Sequence, residues 1–224
     1  SPHLRSFTER FRIDGREVEG ERLAAAIAAL RPHVDALCAE DPARAPTFFD
    51  ALFGAALLLF HDAHVEHAVL EVGLGGRLDS TNAVRPAVAC ITTIELEHTD
   101  RLGTTLAAIA AEKAGIAKRG VPLVVGALPD EALGAVLERA RAVGAPVVRL
   151  GEELGVEILE EGQGAQRLRL RDGAIEVEVS LPVLGPHQAA NAALAFACAR
   201  RAAGLGDAAA ADAARRGLAS ARLP

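Results

Sequence analysis

Apolar residues recur along this chain with two alternating periods. Leu23, Ile27, Leu30, Val34 and Leu37 are spaced three or four apart, which predicts an amphipathic helix ending near the "CAEDPARAP" stretch. Thr47 reads as the N-cap of a second helix over "FFDALFGAALLLF". The segments "HAVLEVG" and "PAVACITTI" are short apolar runs rich in β-branched residues, the signature of strands buried on both faces. A helix over 104–117, the strand "VPLVVG", a helix from about Pro129 to Val143 and the strand "PVVRL" follow in turn. Strands alternating with helices of this length predict an α/β fold: a mostly parallel sheet with helices on both faces. The pattern then switches to period two. "GVEILEEGQGAQRLRLRDGAIEVEVSLP" alternates apolar and charged residues around glycine turns, as expected of a small antiparallel β-meander within 151–183. Gly185 and Pro186 open a long alanine-rich helix to about Ala203, and another helix is expected over roughly 207–218.

Composition narrows the class. Of 224 residues 50% are hydrophobic, enough for a core in one large or two small domains, and 1–224 reads as one domain containing the meander. A net charge of −6 and only 3% aromatics leave no basic stripe and no stacking platform, so nucleic acid is not an expected partner. The longest apolar run is too short to span a membrane, and no leader segment is recognised. Cys38, Cys90 and Cys198 are odd in number and scattered, which suits reduced thiols in the cytoplasm. No Met occurs even at position 1, so a fragment or a processed or trimmed form is expected.

Within "AEKAGIAK" lie both lysines of a chain that otherwise uses arginine. An arginine is permanently charged, whereas a lysine can lose its proton on burial and act as a nucleophile. Leu106, Ile109, Lys113 and Ile116 share one helical stripe, which points Lys113 inward, while Lys118 follows the helix where a cation suits the dipole. A snorkelling lysine is the ordinary reading of Lys113. The other is an uncharged amine that captures carbon dioxide as a carbamate and offers oxygen ligands to a hard cation. Glu71, a carboxylate inside an apolar strand, and His98, just beyond the next strand, both emerge at carboxyl ends, where ligands of parallel sheets gather. The three residues are thus expected to converge.

The motifs "LEVGLGGRLDSTN", "HTDRLGTTLAAIAAEKAGIAK" and "LPVLGPHQAANAALA", in that order, with "SPHL" and "TFFDA", closely resemble the folylpolyglutamate synthase and dihydrofolate synthase family of the Mur ligase superfamily. The resemblance implies a Rossmann-like, P-loop NTPase-like sheet and an amide ligase. In this family ATP phosphorylates a substrate carboxylate and glutamate attacks the acyl phosphate. It implies two magnesium ions, with Glu71, His98 and carbamylated Lys113 as catalytic metal ligands, His98 being the softer donor. It implies ATP contacts at Asn191, His187 and Gln188, and a pteridine pocket formed by Ser1, Pro2, His3, Thr47, Phe48, Arg77, Asp79 and Asn82, with Asp79 the best polar contact. Small-molecule substrates (dihydropteroate or folate, and L-glutamate) and a monomer are expected, with no membrane partner.

Departures set limits. The family's GxxGKS phosphate loop with its first strand is expected before "SPHL" and its further α/β domain after "SARLP", and this chain carries neither, so the chain alone is expected to be inactive. Glu97 stands where an Asp is usual. Another Mur-type ligase, or a noncatalytic module that kept a nucleotide site, are the alternatives. "GLGGRL" lacks the third glycine of a dinucleotide loop, and His61, His64 and His67, though three apart, fall at a helix end where imidazoles meet the dipole or solvent.

Overall fold

The structure is a computed structural model and describes residues 5–222. Ser1, Pro2 and His3 lie outside the described residues. The single domain of the sequence reading resolves into two compact units, one comprising the residues up to Leu74 with Leu78–Ala83, the other Gly75–Arg77 with the residues from Val84 onward.

In the first unit a short antiparallel ribbon, β1 (Arg12–Ile13) and β2 (Arg16–Glu17), precedes α1 (Gly20–Glu40) and α2 (Phe48–Asp62). Phe11, Val18, Leu23, Ala26, Leu52, Ala55 and Leu59 form its core. The expected stripe on α1 is shifted: Leu23 and Ala26 are buried while Ile27 is 45% exposed. The cause is where α2 docks, since Leu30 lies against Gly54 of α2 and draws the Ala26 side of α1 inward. Thr47 caps α2 as expected, and Asp50 completes a capping box by accepting from the Thr47 backbone.

Residues 67–72 correct the sequence reading. They are irregular and no strand among the described residues pairs with them; Val69 is 97% exposed and Glu71 is exposed. An apolar run becomes a buried strand only when neighbouring strands and helices cover it, and none of the first unit's elements does so.

The second unit is built on a parallel sheet in the order β3 (Ala89–Ile91), β4 (Leu123–Val125), β5 (Val147–Arg149). Between β3 and β4 run α3 (Thr99–Leu102) and α4 (Leu106–Lys113), and between β4 and β5 runs α5 (Asp130–Val143). The helix expected over 104–117 is shorter: Thr105 caps α4, and a tight 3₁₀ turn, Ala114–Ile116, ends it after Lys113. Strand alternation sorts the side chains. Ala89, Ile91, Leu123 and Val125 pack with α4 and α5, whereas Cys90, Val124 and Val148 face the opposite way. That opposite face is covered by α6 (Pro186–Ala202) together with the meander β6 (Leu154–Glu161), β7 (Gln166–Asp172) and β8 (Ile175–Leu181), on which α7 (Asp207–Ala219) also packs. Both faces of the sheet are thereby buried, as the alternation of strands and helices predicts. No helix among the described residues is long and apolar enough to cross a membrane.

Candidate functional site

A cavity of about 320 Å³ opens at the carboxyl ends of all three parallel strands. Thr92 and Thr93 follow β3, Gly126 and Ala127 follow β4, and Leu150 follows β5; α6 contributes His187, Ala190, Asn191 and Leu194. Its floor depends on a close approach. The amide of Gly126 donates to Ile91 O at 2.9 Å. A Cβ on Gly126 would stand 2.0 Å from Thr92 O and 3.3 Å from Leu194 Cδ1, so only glycine lets β3, β4 and α6 meet there. The cavity combines apolar walls with hydroxyl, amide and imidazole groups, the makeup of a small-molecule site at strand termini. Asn191 and His187, the residues assigned to ATP by resemblance, both line it. Gln188 does not; it sits in the first turn of α6, its backbone N–H donating to Gly185 O. Thr92, Thr93, Ala127 and Leu150 were not singled out from sequence, although the carboxyl-end rule applied to each strand would have found them.

Helix α6 is held near both ends by the meander. Gln166 on β7 is 2% exposed and its Nε2 donates to Val183 O at 2.8 Å and to Gly185 O at 3.3 Å, anchoring the turn that starts α6. At the other end of β7, Asp172 is 1% exposed. Arg201 Nη1 and Nη2 donate to its two oxygens at 2.6 and 2.8 Å, and Arg200 Nη1 stands 3.1 Å away. Burial works to raise the Asp172 carboxyl, but the hydrogen bonds and charges of Arg201 and Arg200 outweigh it and hold it below the ordinary carboxylate range. In sequence Asp172 reads only as part of an "RDG" turn.

The end of α4 is locked to the Gly75–Arg77 segment. Arg77 N–H donates to Glu112 O at 2.9 Å, and its guanidinium grips the Glu112 carboxylate through Nε at 3.1 Å and Nη2 at 3.0 Å. Gly76 lies against the Lys113 carbonyl, which a Cβ there would meet at 2.8 Å, and the Arg77 backbone lies over Gly115. Gly76 and Gly115 thus serve backbone-to-backbone packing between "GLGGRL" and the lysine-bearing turn. Arg77, expected in the pteridine pocket, has its guanidinium engaged by Glu112, a partner that only the fold reveals.

Lys113 is half-buried at the C-terminal end of α4, and among the described residues its amine makes no hydrogen bond or ion pair. Lys118 is anchored differently, with Nζ donating to Val84 O. His98 is exposed in the left-handed region at φ 49°, ψ 41°, immediately before α3. A non-glycine residue held there marks a constrained turn, placed after the carboxyl end of β3.

In the first unit, Asp79 gathers the loop around itself. Oδ2 accepts from Gly73 N–H and Leu74 N–H, both at 3.0 Å, while Oδ1 accepts from Thr81 N–H at 2.9 Å and from the Thr81 hydroxyl at 2.5 Å. Four donors thus engage the Asp79 carboxylate within its own loop. Asn82 is half-buried in the same loop, its backbone N–H donating to Asp79 O. The Thr47 hydroxyl donates to Asp50 Oδ2 at 2.7 Å and accepts from Asp50 N–H. Ser80 also donates to Asp50, and these hydrogen bonds, the one from Ser80 foremost, hold the Asp50 carboxyl below its ordinary range. Phe48 is 63% exposed, its ring edge-on to Phe7 with centroids 5.5 Å apart. His61 and His64 rings are 6.4 Å apart, and among the described residues no three His, Cys, Asp or Glu side chains gather into a metal site.

Comparison with known proteins agrees with this arrangement. The Mur ligase middle domain family model matches residues 39–199. A probable bifunctional folylpolyglutamate synthase/dihydropteroate synthase of Halobacterium salinarum is 38% identical across 100% of this chain, which spans 27% of that protein. The dihydrofolate synthase/folylpolyglutamate synthase of Bacillus subtilis is 34% identical over 89% of the chain and 46% of its own length. The solved structure of Mycobacterium tuberculosis folylpolyglutamate synthase, complexed with ADP and AMPPCP, superposes with a TM-score of 0.91 at 35% identity, covering 100% of this chain and 52% of that one. The chain therefore spans between about a quarter and about half of the length of these relatives. Architecture, motif order and similarity converge: the chain belongs to the Mur ligase middle-domain family, within its folylpolyglutamate synthase/dihydrofolate synthase branch.

Proposed function

We propose that this chain is the nucleotide-binding part of an ATP-dependent ligase that joins L-glutamate to dihydropteroate or a folate through an acyl phosphate. The cavity at the carboxyl ends of β3, β4 and β5 carries this reading, because Asn191 and His187 offer an amide and an imidazole between apolar walls suited to a purine. Asn191 and His187 bind the base, and Thr92 and Thr93 present hydroxyls toward the rest of the nucleotide. The exposed ring of Phe48 offers an aromatic face to a pteridine. Thr47, Arg77, Asp79 and Asn82, with Ser1, Pro2 and His3, are assigned to the pteridine on motif resemblance. Unbridged cysteines suit work in the cytoplasm.

Magnesium fits the donors this chain offers only if Lys113 is carbamylated. Glu71 supplies one carboxylate and His98 an imidazole, a set short of the oxygen ligands a hard cation prefers. The Lys113 amine, half-buried and engaged by no acceptor among the described residues, is the group able to add carbon dioxide, releasing a proton and leaving an anionic carbamate. Bound magnesium supplies charge neutralisation at the phosphates during phosphoryl transfer. Glu71 would hold one magnesium ion, and His98 with carbamylated Lys113 a second.

The complete protein, given ATP, magnesium and glutamate with either dihydropteroate or a reduced folate, should release ADP and yield the glutamylated product. Lys113→Ala should abolish ligation, with partial rescue by short carboxylates, while leaving binding of AMPPCP measurable. Full activity of Lys113→Ala without additive would sink the carbamate assignment. Failure of wild type with both acceptors would sink the ligase reading.

A further inference from the structure

Helix α6 carries both side chains assigned to the base, yet its first turn has no capping side chain of its own. The N-cap is Gly185, at φ 106°, and Pro186 follows without an N–H. His187 comes next, exposed at the cavity, and Asn191 lies one turn further along the same face. The imidazole rests on the glycine itself: a Cβ on Gly185 would stand 2.9 Å from His187 Cε1 and 3.1 Å from Nδ1. The place of Gly185 therefore sets the place of the ring. Within α6 the Gly185 carbonyl accepts from Gln188 N–H at 3.0 Å and from Ala189 N–H at 3.1 Å. From β7 it also accepts from Gln166 Nε2 at 3.3 Å, and the same Nε2 donates to Val183 O at 2.8 Å, so one amide spans the carbonyls on either side of Leu184.

We propose that Gln166 is a positioning residue for nucleotide binding: through Gly185 it sets the His187 imidazole against the base, so that a meander side chain absent from the cavity lining tunes ATP affinity. The inference rests on the reading of the cavity as a nucleotide site. Gln166 is 2% exposed, and its Oε1 is buried and accepts from no donor among the described residues. An orphaned buried oxygen costs about as much as the hydrogen bonds made by Nε2 contribute. Gln166 therefore adds little to stability that an apolar side chain of its size would not. What it does add is a fixed position for Val183 and Gly185. Without that clamp the β8–α6 connection gains freedom that the bound base must then remove, at a cost in affinity. The phosphates and the acceptor lie outside this effect, so it falls on the binding of ATP and not on the chemical step.

The test uses the complete protein and its Gln166→Met variant, close in volume and without a donor. AMPPCP affinity should fall about fivefold, the worth of one neutral hydrogen bond. The KM for ATP should rise by the same factor, with kcat and the KM for glutamate unchanged, and the thermal midpoint should stay near that of wild type. In histidine-selective NMR spectra the His187 ring signals should shift, whereas those of His33 on α1 and His61 on α2, in the other unit, should not. In a His187→Ala background, Gln166→Met should weaken AMPPCP binding no further, because the two residues act as one unit. Gln166→Asn keeps an amide that is one methylene too short to span both carbonyls; it should bind AMPPCP as Gln166→Met does, and it carries the same comparisons if Gln166→Met does not fold. Affinity equal to wild type in both variants would overturn the positioning role, whatever their stability. An undiminished loss of affinity in the His187→Ala background would overturn the route through His187. Wild type that binds no AMPPCP would overturn the nucleotide reading instead, while the His187 signals still judge whether Gln166 sets the ring.

Discussion

At the scale of single residues, sequence tells which side chains carry chemistry and the fold tells which of them are already engaged. Asp79 is a polar residue in a motif, but four donors from Gly73, Leu74 and Thr81 make it the bracket of its loop. Replacing it with Ala leaves these donors, most of them part-buried, unmatched and should cost about 1–2 kcal/mol, with faster proteolysis within the loop as the direct readout. Asp172 shows the same lesson under burial. Arg200 and Arg201 hold the proton off its carboxyl in the folded state, so at low pH the unfolded chain binds more protons. Its contribution is therefore present above the unfolded value of about 3.9 and lost as pH falls through the lower folded one. Acid unfolding followed by circular dichroism should show that loss below about pH 4 in wild type and much less of it in Asp172→Asn, which should itself be less stable by about 2–3 kcal/mol.

At the scale of elements, local signals predicted starts better than ends. The Thr47 capping box and the Gly185–Pro186 opening of α6 are short-range chemistry, legible without any partner. The end of α4 was not, because the 3₁₀ turn after Lys113 is shaped by backbone packing against Gly76 and Arg77. Residues 67–72 were misread for a related reason: hydrophobicity says that a segment prefers cover, never that cover is present. Gly126 is where three elements meet, and Gly126→Ala places a methyl against the Thr92 carbonyl, which cannot rotate away. We expect a loss of about 3 kcal/mol in thermal or denaturant unfolding, the upper end of overpacking costs, and weakened AMPPCP binding; a stability equal to wild type would show that β3 and β4 can separate there without penalty.

At the scale of the whole molecule, one core cluster in the second unit joins the sheet face carrying Cys90 and Val124 to the meander, α6 and α7. Leu170, fully buried on β7, belongs to that cluster although it is not among the residues that line the cavity. Leu170→Ala should remove about 3 kcal/mol, and ultraviolet circular dichroism and AMPPCP release should report the same shifted midpoint for the second unit. Non-coincident transitions would show instead that the meander melts apart from the cavity.

The sequence by itself determined the family, the order of strands and helices, the caps, and the candidates Lys113, His98 and Asn191, because periodicity, capping and motif spacing are written within a few residues of each other. Only the tertiary structure decided that Thr92, Gly126 and Leu150 share one cavity with α6, that Glu112 holds Arg77, and that Asp172 is buried between two arginines. These are contacts between residues distant along the chain, and their energies come from burial and close approach, which exist only once the elements have docked.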